Sequence, residues 1–155
     1  MKLKINPIGD EPIGLQDAKD FLQVDGEHHD KLITRLTKAA RQTVETICGV
    51  SIVEKEIEVA SENFETPWLL PYGPVKTITT ATVDGVDAEI DGDYLTTPGT
   101  RFEAEYIAGY DELPDGLEQA IYDLLRLYYD GRGMNVPIPE TLYGLLQKYS
   151  RNLVI

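Results

Sequence analysis

The chain of 155 residues is short of several residue types, and each shortage excludes a class of protein. It has one cysteine, Cys48, so no disulfide can form within the chain, which is compatible with a reducing compartment. Its 14 basic residues face 27 acidic ones, which excludes a nucleic-acid binder held by a basic surface. No apolar run approaches the length of a membrane span. Pro7 interrupts the N-terminal segment, which therefore does not have the continuous apolar region of a signal peptide. We therefore expect a soluble protein that stays where it is made.

Patterns that carry catalysis or bind cofactors are also missing. No glycine-rich phosphate loop is present. The adjacent His28 and His29 would point in different directions on a helix, and no further ligand stands at a metal spacing, so we interpret them as a solvated helix start. The segment 87–92 has the acids and glycine of a calcium loop, but Pro98 occupies the position that needs a bidentate glutamate. We predict a protein that is not an enzyme and has no cofactor or metal.

The excess negative charge is confined to the middle of the chain. Residues 54–123 hold 17 acids and 3 bases, whereas residues 1–53 hold 8 and 7 and residues 124–155 hold 2 and 4. A charge concentrated in this way is typical of a surface that binds a partner molecule or repels one.

Both ends of the chain have helical periodicity. Apolar residues predict a short helix from 15 to about 24 with Gly14 as its N-cap, and a long helix through 32–48 that ends at Gly49. A third stripe spans 117–128, where Asp115 and Glu118 have capping-box spacing. A short final helix begins near Pro139.

The middle block alternates with a period of two, which is typical of half-buried strands. Strands are predicted around 53–59, at 75–83, at 86–91 and at 101–106, with Asp84-Gly85 as a hairpin turn. The predicted fold class is α+β and mostly helical: two N-terminal helices, a small acidic antiparallel sheet with a hairpin, and two C-terminal helices. We expect a single domain over 1–155, with an acidic β insertion at about 51–107 and a flexible C-terminal tail at 150–155.

The order of these motifs resembles the head-tail connector proteins of tailed phages, also called head-completion adaptors. The matching motifs are the opening helix and its turn, the long second helix, the sheet-entry turn, the segment before the third helix, and the closing helix; their residues are Leu15, Ala18, Leu22, Asp25, Asp30, Ile33, Leu36, Ala40, Val44, Glu45, Gly49, Leu70-Pro71-Tyr72-Gly73-Pro74, Ala108-Gly109-Tyr110, Pro114, Leu117, Ile121, Tyr128, Arg132, Leu146 and Tyr149. The resemblance covers roughly 135 residues in order and spacing. The hairpin region 84–100 matches nothing in the family.

The resemblance implies a structural virion protein made in the bacterial host cytoplasm and located at the head-tail junction. It implies a homo-oligomeric ring of about a dozen subunits that joins the portal to a downstream neck or tail protein after DNA packaging. DNA passes through the lumen of such a ring without specific binding, and no membrane is involved.

Three sets of residues follow as candidates for this assembly. A ring needs two complementary faces on each subunit, and the candidate subunit-interface residues are Lys31, Arg35, Lys38, Glu54, Glu56 and Glu58. A carboxylate-lined channel avoids phosphate contacts, and the candidate lumen-facing residues are Asp84, Asp87, Glu89, Asp91 and Asp93. The candidate portal-docking residues are Leu145, Tyr149, Leu153, Val154 and Ile155.

The alternatives are an acidic DNA mimic and another non-enzymatic interaction module. A DNA mimic would explain the charge directly, but it predicts acids spread over one long face that includes helices. Here the long helix carries bases and the acids occupy alternating strand positions.

Overall fold

The computed structural model describes residues 1–151, which contain four helices and two antiparallel sheets. The helices are α1 (Leu15–Leu22), α2 (Asp30–Cys48), α3 (Asp115–Asp130) and α4 (Glu140–Gln147). The strands are β1 (Lys2–Pro7), β2 (Lys55–Glu62), β3 (Trp68–Leu69), β4 (Val75–Val83), β5 (Val86–Asp87), β6 (Ile90–Asp91), β7 (Tyr94–Leu95) and β8 (Arg101–Ala108). The α+β class is confirmed. The prediction of a mostly helical chain is corrected, because 26% strand accompanies 34% helix.

The chain divides into a sheet unit and a helical unit. The sheet unit comprises Met1–Asp10 and Val50–Asp111, and the helical unit comprises Glu11–Gly49 and Glu112–Ile155. Both sheets belong to the first unit, and all four helices belong to the second.

The main sheet of the sheet unit has the strand order β1-β2-β8-β4-β5, and all its neighbouring strands are antiparallel. Side chains alternate between its two faces. Ile57 and Val59 of β2 and Phe102, Ala104 and Tyr106 of β8 form the inner, buried face. The glutamates between them point to the outer face, as the alternation predicts.

The predicted hairpin is confirmed only at its turn. Val83 pairs with Val86 across Asp84-Gly85, and both turn residues have positive φ, as a two-residue hairpin requires. The return strand ends after Asp87, and the chain then forms a second sheet of order β3-β7-β6. The single return strand predicted over 86–91 is therefore replaced by two short strands in different sheets.

The helical unit has its core between α2 and α3. Ile33, Leu36 and Val44 of α2 are buried, as are Ile121 and Leu124 of α3. Gly14 is the N-cap of α1, and Gly49 ends α2 in the left-handed conformation, as predicted. The predicted capping box is wrong, because Pro114 occupies the N-cap position of α3 and Asp115 is its first helical residue.

A buried ionic cluster fixes the start of the helical unit to α2. Arg41 is 4% exposed and contacts two carboxylates: its Nε donates to Glu11 at 3.0 Å, its Nη2 also donates to Glu11, and its Nη1 donates to Glu45 at 2.6 Å. Burial opposes ionisation of Arg41, but the hydrogen bonds to Glu11 and Glu45 outweigh it and raise the pKa of the guanidinium. The guanidinium of Arg41 therefore keeps its charge although it is buried.

Candidate functional site

The outer face of the main sheet carries the exposed glutamates of β2 and β8. Glu58 of β2 lies directly opposite Glu105 of β8, and Glu103 and Glu56 stand further along the same two strands. Like charges in directly opposite positions repel each other. The repulsion is not fully compensated, because the only ion pair of Glu58 within residues 1–151 is an exposed one of 3.9 Å to Lys4.

This face is concave, and basic residues accompany the glutamates there. A shallow depression of about 710 Å³ spans β1, β2, β8 and β4, and its charged lining residues are Lys2, Lys4, Glu58, Arg101, Glu103 and Glu105. Arg101 is bound by Glu103 at 2.7 Å and by Glu62 at 3.3 Å, so its charge is used within the surface. The charged lining therefore holds as many basic as acidic residues, and Lys2 and Lys4 lie at its β1 side.

The candidate interface acids fall in two environments. Glu56 and Glu58 are exposed on β2, as predicted. Glu54 precedes the strand and binds Lys76 at 2.9 Å, and this hydrogen bond is the main reason why the pKa of Lys76 is raised. The backbone carbonyl of Glu54 also accepts hydrogen bonds from the amides of Ile8 and Gly9. Glu54 therefore links the start of β2 to Lys76 of β4 and to the residues that follow β1.

The candidate interface bases form one exposed stripe on α2. Lys31, Arg35 and Lys38 are all exposed, while Ile33 and Leu36 between them are buried. None of the three bases forms an ion pair with the part of the chain that the structure describes. The stripe is thus a positive surface available to an acidic partner.

The candidate lumen acids are likewise divided between structural and free carboxylates. Asp84 accepts hydrogen bonds from the backbone amides of Thr100 at 3.0 Å and Arg101 at 2.9 Å, and these lower the pKa of its carboxyl. Asp93 accepts one from the backbone amide of Val75 at 2.8 Å. Asp87, Glu89 and Asp91 are exposed.

The candidate docking residues lie at and beyond α4. Leu145 and Tyr149 are half-buried, and the Tyr149 ring packs so closely on Gly116 that a Cβ there would stand 2.1 Å from the Tyr149 hydroxyl oxygen. Tyr149 therefore has a packing role within the helical unit. Leu153, Val154 and Ile155 lie outside the described residues.

Residues 1–151 offer neither a metal site nor a membrane-spanning helix. They contain no group of three or more His, Cys, Asp or Glu side chains that could hold a metal ion, the segment 87–92 included. The helices in the same range are too short or too polar to cross a membrane.

Sequence reasoning missed two features that shape these surfaces. The buried position of Arg41 was not identified, although its spacing of four from Glu45 permits an ion pair on one helix face. β1 was not predicted, although Lys2, Leu3, Lys4 and Ile5 alternate in polarity as a strand does.

Solved structures with the same fold come from gene transfer agent (GTA) particles. One is from the neck of an empty GTA particle computed with C6 symmetry, with a TM-score of 0.70, 19% identity, and coverage of 98% of this chain and 97% of that chain. Another is from the virion of a native GTA particle, with a TM-score of 0.68, 20% identity, and coverage of 97% of both chains. A third is from the neck of a native particle computed with C12 symmetry, with a TM-score of 0.65, 20% identity, and coverage of 98% and 97%.

The family comparison gives the assignment. Comparison with curated proteins produced no significant match. The family model of the phage gp6-like head-tail connector protein matches residues 12–154, which confirms the resemblance drawn from the order of motifs. The chain therefore belongs to the phage gp6-like head-tail connector family and is a structural protein that connects head and tail.

Proposed function

We propose that the protein forms a closed ring of about a dozen identical subunits in the neck of the virion. The ring joins the portal to the next neck or tail protein, and DNA passes through its lumen. The observation that carries the proposal is the family match over residues 12–154. Support comes from the shared fold with chains of GTA necks, which were themselves computed with C6 and C12 symmetry.

We also propose that residues 1–155 act as one connector domain, made in the cytoplasm of the bacterial host. The family match supports this, because it runs through both the sheet unit and the helical unit.

The basic stripe on α2 is proposed to contact carboxylates of a neighbouring subunit. Its three cations have no ionic partner within residues 1–151, and the sheet unit offers exposed acids such as Glu56 and Glu58. A ring requires two different surfaces on each subunit, and opposite charges make the pairing directional.

The acidic hairpin region is proposed to line or approach the channel. Asp87, Glu89 and Asp91 are exposed there, and Glu89 and Asp91 would repel the phosphates of passing DNA. Asp84 and Asp93 would contribute charge to the same surface while their carboxylates brace the backbone.

The portal contact is proposed at the end of the chain, where Leu145 is half-buried on α4. Tyr149 would support this surface through its packing on Gly116. Removal of residues 152–155 is expected to weaken capture by the immobilised portal protein, and full binding by the shortened chain would contradict this contact.

Negative-stain microscopy tests the ring directly. The purified protein, alone and mixed with its portal protein, is expected to show rings, and their absence in both samples would contradict the proposal. The triple reversal of Lys31, Arg35 and Lys38 to Glu should reduce ring formation and its dependence on salt. Unchanged assembly by light scattering would remove the α2 stripe from the interface while leaving the ring intact.

A further inference from the structure

The two edges of the main sheet have complementary surfaces. β1 forms one edge, and its backbone on the side away from β2 pairs with no strand among residues 1–151. β5, two residues long, forms the other edge beside β4. Each edge is therefore a place where the sheet stops without a neighbour, and open edges of this kind invite pairing with another chain.

On the inner face, both edges end in exposed apolar side chains. Leu3 and Ile5 lie opposite Val59 and Ile57, which are buried, yet Leu3 is 38% exposed and Ile5 is 37% exposed. At the other edge Val86 lies opposite the buried Val83 and is 70% exposed. The apolar rows of the core thus continue to both edges and remain uncovered there.

On the outer face, the two edges carry opposite charges. Lys2 and Lys4 of β1 lie on this face, opposite Ala60 and Glu58, and the 3.9 Å contact between Lys4 and Glu58 is exposed to solvent. Asp87 of β5 lies on the same face, opposite Thr82. The sheet unit is strongly acidic, with 14 acids and 5 bases, so the two lysines of β1 form a distinct positive strip.

From this match we infer that β1 of one subunit docks against the β4–β5 edge of the next subunit. The inference rests on the proposed ring and names the surfaces that close it. Leu3 and Ile5 would pack beside Val86 on the inner face, while Lys2 and Lys4 would face Asp87 on the outer face. Both layers of the contact are then complementary.

The charges also select the symmetry of the contact. Two β1 edges would bring lysines together, and two β5 edges would bring aspartates together, so both symmetric dimers are disfavoured. Only the contact between unlike edges pairs opposite charges. Such a head-to-tail contact leaves one free edge of each kind on every open chain of subunits, and closure into a ring pairs these last two edges.

Engineered disulfides test the contact. β1 and β5 are four strand spacings apart, or about 19 Å along the sheet, far beyond the roughly 7 Å that a disulfide allows between Cα atoms. In the double variant L3C/V86C a disulfide can therefore form only between subunits. Under mild oxidation it should give a ladder of linked chains on a non-reducing gel.

The single variants provide matched controls. L3C alone and V86C alone should stay unlinked, and an equimolar mixture of the two should give linked dimers and nothing larger. The double variants L3C/V86C and I5C/V86C together cover a shift of two residues in register. If both stay monomeric on the gel in samples whose micrographs show rings, the edge contact is wrong and the ring stands.

Charge exchange gives an independent readout. The variant K2E/K4E should raise the protein concentration needed for half-maximal assembly by about tenfold, and adding D87K should restore most of the loss. Rescue by the third substitution excludes a simple folding defect. Equal assembly by K2E/K4E and the natural chain would overturn the inference. Absence of rings for the natural chain, with and without portal, would instead overturn the proposed function.

Discussion

The sheet unit and the helical unit differ in where their charged side chains lie and in how these are paired. The helical unit, with 13 acids and 9 bases, places Arg41 inside and satisfies it with Glu11 and Glu45. The sheet unit, with 14 acids and 5 bases, spreads carboxylates over one solvent face and leaves Glu58 opposite Glu105. Arg41 and Glu45 are buried, whereas Glu58 and Glu105 are exposed to solvent. This difference separates charges kept for stability from charges available for assembly.

The largest expected effect tests the buried charge. Arg41→Ala removes the guanidinium that joins Glu11 and Glu45, and breaking a buried ionic cluster costs about 3–5 kcal/mol of unfolding free energy. Urea unfolding followed by circular dichroism measures the loss. Arg35→Ala, on the exposed side of the same helix, should change stability by about 0.5 kcal/mol or less. Similar losses for both variants would contradict the distinction.

A smaller effect of opposite sign tests the exposed charge. Glu105→Gln removes the repulsion with Glu58 and should stabilise the protein by about 0.2–1 kcal/mol, more at low salt than at high salt. Glu56→Gln is the matched control, because Ile107 lies opposite Glu56. Thermal unfolding at two ionic strengths distinguishes the variants. A loss of stability in Glu105→Gln would show that this carboxylate has a structural role.

The smallest effect concerns Asp84, an exposed acid whose carboxylate accepts hydrogen bonds from two backbone amides. The amides of Thr100 and Arg101 lower the pKa of Asp84, so its stabilising contribution is present at neutral pH and is lost as pH falls through the lowered pKa. The melting temperature of Asp84→Asn should therefore lie below that of the natural chain at pH 7 and approach it near pH 3. Asp87→Asn should show no such convergence, and a constant difference for Asp84→Asn would refute the assignment.

Long periodic elements could be predicted from the sequence, whereas short or edge elements could not. α2 carries enough turns to define its buried face, β4 is rich in Thr and β-branched residues, and Gly49 and Asp84-Gly85 mark where the two elements end. The strands β3, β5, β6 and β7 have two residues each, which is too short for any periodicity.

The candidate site was predictable in its charge but not in the use of each carboxylate. Alternation placed Glu56 and Glu58 correctly on an exposed face. It could not show that Glu54 binds Lys76 or that Asp84 and Asp93 accept backbone hydrogen bonds, because those contacts join residues 16 to 22 positions apart. Tertiary contacts of this kind leave no local pattern.

The buried thiol of Cys48 has a practical consequence. Its side chain is fully buried, donates a hydrogen bond to the carbonyl of Leu146 at 3.3 Å, and has a pKa raised to about 11 by burial. Because the thiolate is the reactive form, only about one molecule in ten thousand carries it at pH 7. Maleimide dyes should therefore react with a cysteine introduced at the surface and leave Cys48 unlabelled, so the natural background already permits site-specific fluorescence.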